Sequence, residues 1–384
     1  MTTWFEQLTG IKETATGDTQ QVRDQLALSA PDADDPSSSN NDDGFTITSR
    51  VNGRSWNAGR LELPSLKELR DRVAVLKTKN EIGGQPDHRK KKNIISLRIV
   101  AGVDVSELHA DPKNAHALFQ AASQFNLLEM ASPNNTPEIG IGCYERDHTQ
   151  GPACAIAAGA GTIYRNYFVN VEASTADSCR QQLGQSQEAQ IDCLKDLEAA
   201  LQEMNCNSEE ESLWTMCNGY CMPSLKQAKS IEALLKATEE ADLDRLRQSL
   251  RVGIQWNTQV TLPGCSHLVS QVYCSAIPCG YVRYSGEILK PFAKIILEAT
   301  YEAAICAGIL NAMKHSDTTF PSSNIIYLTL VGGGVFENEL SWICSAIDRA
   351  MTRYSSWGLD IVIVSYSPSV DPLIVNLARK WAIS

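Results

Sequence analysis

Apolar and polar residues alternate along "GFTITSRVNGRSWNAGRLELP", Gly44 to Pro64, around two glycine turns, a period of two that predicts a β-hairpin. The period then changes. Leu66, Leu69, Val73 and Leu76 fall on one helical face, and Ser65 with Glu68 forms a capping box at its start. "NIISLRIVAGVDVS" and "AHALFQAAS" are mostly apolar, and two strands joined by a short polar link are expected. Pro152 opens a helix of small residues in "TQGPACAIAAGAG", able to pack closely on a sheet or a ligand. "LRVGIQW" and "VSQVYCSAIP" resume the strand pattern, Pro291 to Met313 forms a long helix, and "NIIYLTLVGGG" runs from strand to glycine turn. The end repeats this order, with "LDIVIVSYS" as a buried strand and Asp371 and Pro372 starting a closing helix, "DPLIVNLARKWA".

Strands alternating with helices predict an α/β fold whose sheet is covered on both faces, with ligands at the carboxyl ends of its strands. Two segments depart from the pattern. Residues 1–43 include "SAPDADDPSSSNNDD", too poor in apolar residues to meet the entropy of ordering, and are expected to form an acidic, flexible arm. Residues 173–250 turn to Gln, Glu, Asp, Lys and Leu, with helical spacing in Leu194, Leu197, Leu201, Leu234 and Leu235 and capping signals at Ser208 and Ser224. This block is expected to be an all-helical insertion within one domain, residues 44–384.

A chain of 384 residues, 43% of them hydrophobic, can bury a large core. Its formal net charge of -11 opposes wrapping nucleic acid phosphates or anionic lipid, and the basic run "RKKKN", Arg89 to Asn93, fits a solvated turn. No apolar stretch is long enough to span a bilayer, and the N-terminus lacks the blocks of a signal peptide, so a cytoplasmic protein with mostly reduced thiols among its twelve cysteines is expected. Cys193, Cys206, Cys217 and Cys221 lack the paired short spacing of a zinc site; neither metal nor cofactor is expected.

Two stretches carry candidate chemistry. Gly332, Gly333 and Gly334 link a strand to a helix expected near Glu337, which would leave amide groups free at the positive end of a helix dipole. Either a phosphate site or an ordinary tight turn fits this pattern, but it lacks the Gly-Lys-Ser/Thr of a P-loop and the spacing of the dinucleotide fingerprint. The second stretch, Phe119 to Phe168, places Gln124 and Asn126 after a strand and spreads Glu129, Glu138 and Asp147 along a loop broken by prolines, where carboxylates can converge. His148 fits a solvated loop residue and Arg165 a partner for a carboxylate. Trp256, Asn257 and Tyr273 fit either core or pocket rim, and the acids Glu298 and Glu302, with Tyr301 beside them, fit a solvated helix face.

"VAGVDVSELHADPKNAHALFQAASQFN" and "IIYLTLVGGGVFEN" resemble the two ligand loops of a macrodomain, and Phe119 to Ala153, with its "TQGPA", is closer still to the divergent MavL-type branch of ADP-ribosyl hydrolases. The resemblance spans roughly Ile94 to Ser367. It implies a macrodomain-like mixed sheet and an ADP-ribose pocket. There Asp104 would read the adenine, Gln124 and Asn126 would stand near the distal ribose, and Gly332, Gly333, Gly334, Val335 and Phe336 would cradle the diphosphate. Glu129 and Asp147 match the acidic positions, with Glu138 a third acid. The implied activity is removal of ADP-ribose from modified proteins, arginine-linked as in the MavL-type relatives, one of which acts on ubiquitin. "LLEMASPNN" stands where ordinary macrodomains have a glycine-rich first loop, so their usual mechanism does not transfer. A module that binds ADP-ribose without turning it over, and an adaptor working through its insertion, are the competing readings.

Overall fold

The structure, a computed structural model, describes residues 2–13, 18–30, 44–82, 94–175, 178–204, 212–315 and 321–382. The stretch 31–43, the basic run 89–93, Cys206 and Ser208 lie outside them. The chain begins with α1 (Trp4–Thr9) and α2 (Thr19–Asp24), whose caps Thr3 and Asp18 accept the amides of Glu6 and Gln21. An antiparallel meander follows: β1 (Leu26–Ser29), β2 (Phe45–Ser49) and β3 (Ser55–Glu62). The last two are the predicted hairpin. Residues 2–13 and 18–30, by contrast, are not a free arm. Phe5, Leu8, Ile11 and Val22 are buried in the common core, and β1 adds an edge strand to the sheet.

The capping box at α3 (Leu66–Ile82) forms as expected, with Ser65 N–H donating to Glu68 Oε2 at 2.6 Å and Glu68 N–H to Ser65 Oγ at 3.2 Å. β4 (Ser96–Ala101) and β5 (Leu118–Ala122) are the two expected strands, but the polar link between them folds into α4 (Val105–Ala110), capped by Asp104. α5 (Gln150–Ala157) and α6 (Gly159–Ile163) then run into a π-helical turn, Tyr164–Phe168. The insertion contains more than helices. β6 (Asn170–Thr175) pairs with β7 (Ser178–Leu183) ahead of α7 (Lys195–Met204), and β8 (Thr215–Cys217) pairs with β9 (Tyr220–Met222) ahead of α8 (Leu225–Ala237) and α9 (Glu240–Ser249). Asn218 and Gly219 turn the second hairpin with φ of 46° and 81°, the conformation an Asn-Gly pair favours.

β10 (Gly253–Gln259), β11 (Leu268–Cys274), α10 (Lys290–Lys314), β12 (Ile325–Leu328), α11 (Leu340–Arg353), β13 (Asp360–Ser365) and α12 (Pro372–Trp381) complete the chain. The nine-stranded sheet has the order β1-β2-β3-β10-β11-β5-β12-β13-β4, antiparallel from β1 to β11 and parallel from β11 to β4. α4, α5 and α6 cover one face; α3, α10 and α11 cover the other. Alternation along the strands feeds both cores: Phe119 stacks on His109 of α4, while Cys274 lies against the Thr300 carbonyl of α10. The chain is therefore α/β, with a mixed sheet between two helical layers, as the pattern predicts.

α10 corrects two expectations. The segment Gly286–Lys314 is long and apolar enough to cross a membrane, but 83% of its most apolar window is buried inside the fold. Its acids do not form a solvated face. Glu302 is fully buried and receives Arg70 at 2.6 Å, Arg349 at 2.8 Å and Arg353 at 3.1 Å, while Glu298 takes Arg247 at 2.6 Å. The arginines hold the Glu302 carboxyl below its ordinary pKa despite burial. Asp244 of α9 shares Arg70 and Arg349, so the network fastens the insertion to the core.

Candidate functional site

The carboxyl ends of β5, β11 and β12 open onto a cavity of ≈ 330 Å³. One wall comes from the loop after β5. Leu127 has φ 65°, and Gln124 bends back so that its Oε1 accepts Met130 N–H at 2.9 Å. That turn brings Glu129 to the cavity at only 3% exposure, with its amide donating to the buried Tyr144 hydroxyl at 3.0 Å. Glu129 Oε1 is buried without a hydrogen-bond partner among the described residues. Burial raises the Glu129 pKa well above its ordinary value, and Asp147 adds to this while Arg165 opposes it. The carboxyl is thus biased toward its protonated form beside an acid that is more exposed.

Asp147 lines the same cavity. It follows the 3-10 turn Gly142–Arg146, and its Oδ1 accepts Thr149 N–H at 2.9 Å. The side-chain amide of Gln150 then latches α5 to the end of β5, accepting Ala122 N–H at 3.0 Å and donating to the Gln120 carbonyl at 2.8 Å. Gly151 lies so close to Glu129 that a Cβ there would collide with its carboxylate and with the Ala122 carbonyl. Among the described residues Arg165 does not form the expected ion pair. Its buried guanidinium lies 3.7 Å over the Tyr273 ring and donates to the Leu127 carbonyl, Thr162 and Gln255, stiffening the wall from behind. Tyr273 and Trp256 are buried strand residues and do not line the cavity.

The glycine turn forms the opposite wall. The Tyr301 hydroxyl of α10 donates to the Thr329 carbonyl at 2.8 Å and accepts Val331 N–H at 2.9 Å, fixing the chain as it leaves β12. Asn338 closes the loop by donating to the Ile277 carbonyl, and Gly332 turns it with φ 77°. α11 begins at Leu340, later than expected, so the groups facing the cavity belong to a loop and not to a first helical turn. Gly332, Gly334, Val335 and Phe336 line it, and no described residue accepts from the amides of Gly334, Val335 or Phe336. The Phe336 ring meets Tyr220 at 5.6 Å and Tyr281 at 5.7 Å, an aromatic end wall.

A second cavity of ≈ 200 Å³, bordered by Asp104, His148 and Tyr366, adjoins the first across Thr149, Gln150, Thr329 and Leu330. Asp104 Oδ1 caps α4 through Ser106. Gln124, Glu129, Asp147, Gly332, Gly334, Val335 and Phe336 therefore meet around one cavity, with Asp104 next door. Three further expected residues line neither cavity. Asn126 is fully buried and binds Gln190 and the Leu128 amide; Glu138 accepts the Gln187 amide of the insertion; Gly333 is exposed at the tip of its loop. Tyr220, Tyr281, Gln150 and Gly151 are on the cavity but were not anticipated there. The Asn218–Gly219 pair between short apolar runs is the sequence signal for the hairpin that delivers Tyr220. Among the described residues no His, Cys, Asp or Glu cluster is placed to hold a metal ion.

No family model matches the chain, and no curated protein does. Among solved structures it is similar to poly(ADP-ribose) glycohydrolase from Deinococcus radiodurans. With the ADP-ribose complex it shares 10% identity at a TM-score of 0.37, over 83% of this chain and 92% of that one. With the apo form the values are 11% and 0.36, over 83% and 91%.

Proposed function

We propose that the chain is a hydrolase that removes ADP-ribose from modified proteins, cleaving at the distal ribose with carboxylate assistance. The observation that carries this reading is the convergence of Glu129 and Asp147 with the turn Gly332–Phe336 around one cavity at the carboxyl ends of the strands. Free loop amides and open space beside Gly334 suit a diphosphate, the aromatic end wall suits a ribose, and the adjoining cavity at Asp104 suits an adenine.

The chemistry follows from the contrast between the two acids. Cleavage breaks the bond from the ribose anomeric carbon to the side chain that carries it and passes through an oxocarbenium-like state. Asp147, the more exposed acid, stabilises the positive charge and takes a proton from the attacking water, whose oxygen bonds to the anomeric carbon. Glu129, biased toward its protonated form by burial, gives its proton to the departing nitrogen; a proton from Asp147 then replaces it through solvent. A guanidine leaving group is basic enough to take that proton, which supports arginine as the attachment residue, and ubiquitin is a candidate carrier. A cytosolic location is part of the same proposal.

A module that only binds ADP-ribose is the second reading. The buried, unpartnered Glu129 oxygen favours turnover, because such a group costs stability and binding alone has no use for it. The test is a panel of proteins carrying ADP-ribose on Arg, Glu or Ser, read by mass spectrometry. Release from the arginine-linked substrate is expected; tight ADP-ribose binding with no release from any of them overturns the hydrolase reading.

A further inference from the structure

Glu13 follows α1 by a few residues, far in sequence from the acids, yet its carboxylate grips the turn that holds them. It accepts Ile141 N–H at 2.8 Å, Gly142 N–H at 2.7 Å and the Tyr167 hydroxyl. Gly140 and Gly142 leave the necessary room, since a Cβ on them would lie 2.5 Å and 2.7 Å from the Glu13 carboxylate. Trp4 holds the same turn from the other side: its indole N–H donates to the Ile141 carbonyl at 2.9 Å and its backbone N–H to Glu145 Oε2 at 2.9 Å. The turn, Gly142–Arg146, serves both acids. Its Tyr144 hydroxyl accepts the Glu129 amide at 3.0 Å, and the Tyr144 carbonyl accepts the Asp147 amide at 3.1 Å.

We propose that Glu13 is a positioning residue, which sets Glu129 and Asp147 by anchoring the amides of Ile141 and Gly142. A short 3-10 turn has few internal bonds, so a carboxylate that satisfies two amides at its start removes much of its freedom. A glutamine in its place presents one acceptor oxygen where the carboxylate has two, leaving an amide unpaired. The proposal rests on the reading of the cavity as a hydrolytic site.

The test compares the full chain with Glu13→Gln and Glu13→Ala, measuring kcat and KM on an arginine-linked substrate, ADP-ribose affinity by calorimetry, and amide exchange at Ile141 and Gly142. Expected are a fall in kcat of about 10-fold for Gln and about 100-fold for Ala, with KM and ADP-ribose affinity within about twofold. Exchange at both amides rises in parallel, and formate restores part of the activity of Glu13→Ala. An unchanged kcat in Glu13→Ala, or a loss matched by equal losses of ADP-ribose affinity and melting temperature, overturns the proposal. Should the native chain release no ADP-ribose, the hydrolase reading fails. The Glu13 proposal is then decided by exchange and by the Glu129 titration followed by carboxyl NMR, and it is overturned if neither changes in the variants.

Discussion

The acid wall and the glycine wall of the cavity are built on opposite plans. Glu129 is almost fully buried and enclosed by Tyr144, Gly151 and the buried Arg165 behind it. Gly333, Gly334 and Val335 are exposed, and their loop is tied at its two ends by Tyr301 and Asn338. Groups that move protons must be held within a fraction of an ångström, whereas amides that receive a diphosphate can adjust as it binds. Rigidity therefore collects on one side of the cavity and accessible backbone on the other.

Glu129→Gln separates the two walls most sharply. Turnover is expected to fall by about 10³-fold while ADP-ribose affinity, measured by calorimetry, stays near that of the native chain. The same variant should melt higher at neutral pH. A carboxyl whose pKa is raised on folding keeps its proton in the folded chain and loses it in the unfolded one, so stability falls as pH climbs above the ordinary carboxyl value. Glutamine removes that fall, and thermal melts between pH 5 and pH 8 would show a flatter profile; an unchanged profile argues against a protonated Glu129.

Gly151→Ala pushes on the acid wall without removing an acid. Its methyl collides with the Glu129 carboxylate and the Ala122 carbonyl, and a loss of about 100-fold in kcat is expected in single-turnover assays. Gly334→Ala probes the other wall. No described residue lies within 4 Å of a Cβ there, so melting temperature should hold while ADP-ribose binds about tenfold more weakly, the methyl standing where the diphosphate would approach. Tyr301→Phe has the smallest effect. It leaves the Val331 amide without its acceptor, and a loss of about 1 kcal/mol in denaturant titration is expected, with a modest drop in affinity.

Much of the architecture was legible in advance because it depends on local pattern. The box at Ser65 and Glu68, the alternation of β2 and β3, and the cap at Asp371 are each decided within a few residues. Reading 173–250 as all-helical missed β8 and β9, because the helical composition around them hid an Asn-Gly turn. Reading residues 1–43 as a flexible arm missed the burial of α1, whose Phe5 and Leu8 gain from a core they cannot form alone.

The sequence by itself determined which residues could form helices and strands, and which polar residues followed the strand ends. Only the tertiary structure decided that Glu129 and Asp147 share a cavity with Gly334 while Glu138 and Asn126 turn away to bind the insertion. Side chains on a loop have no period to announce their direction. That Glu129 is buried beside Arg165, and that Glu13 anchors its support, depends on parallel strands ending at one edge and on what packs beyond it.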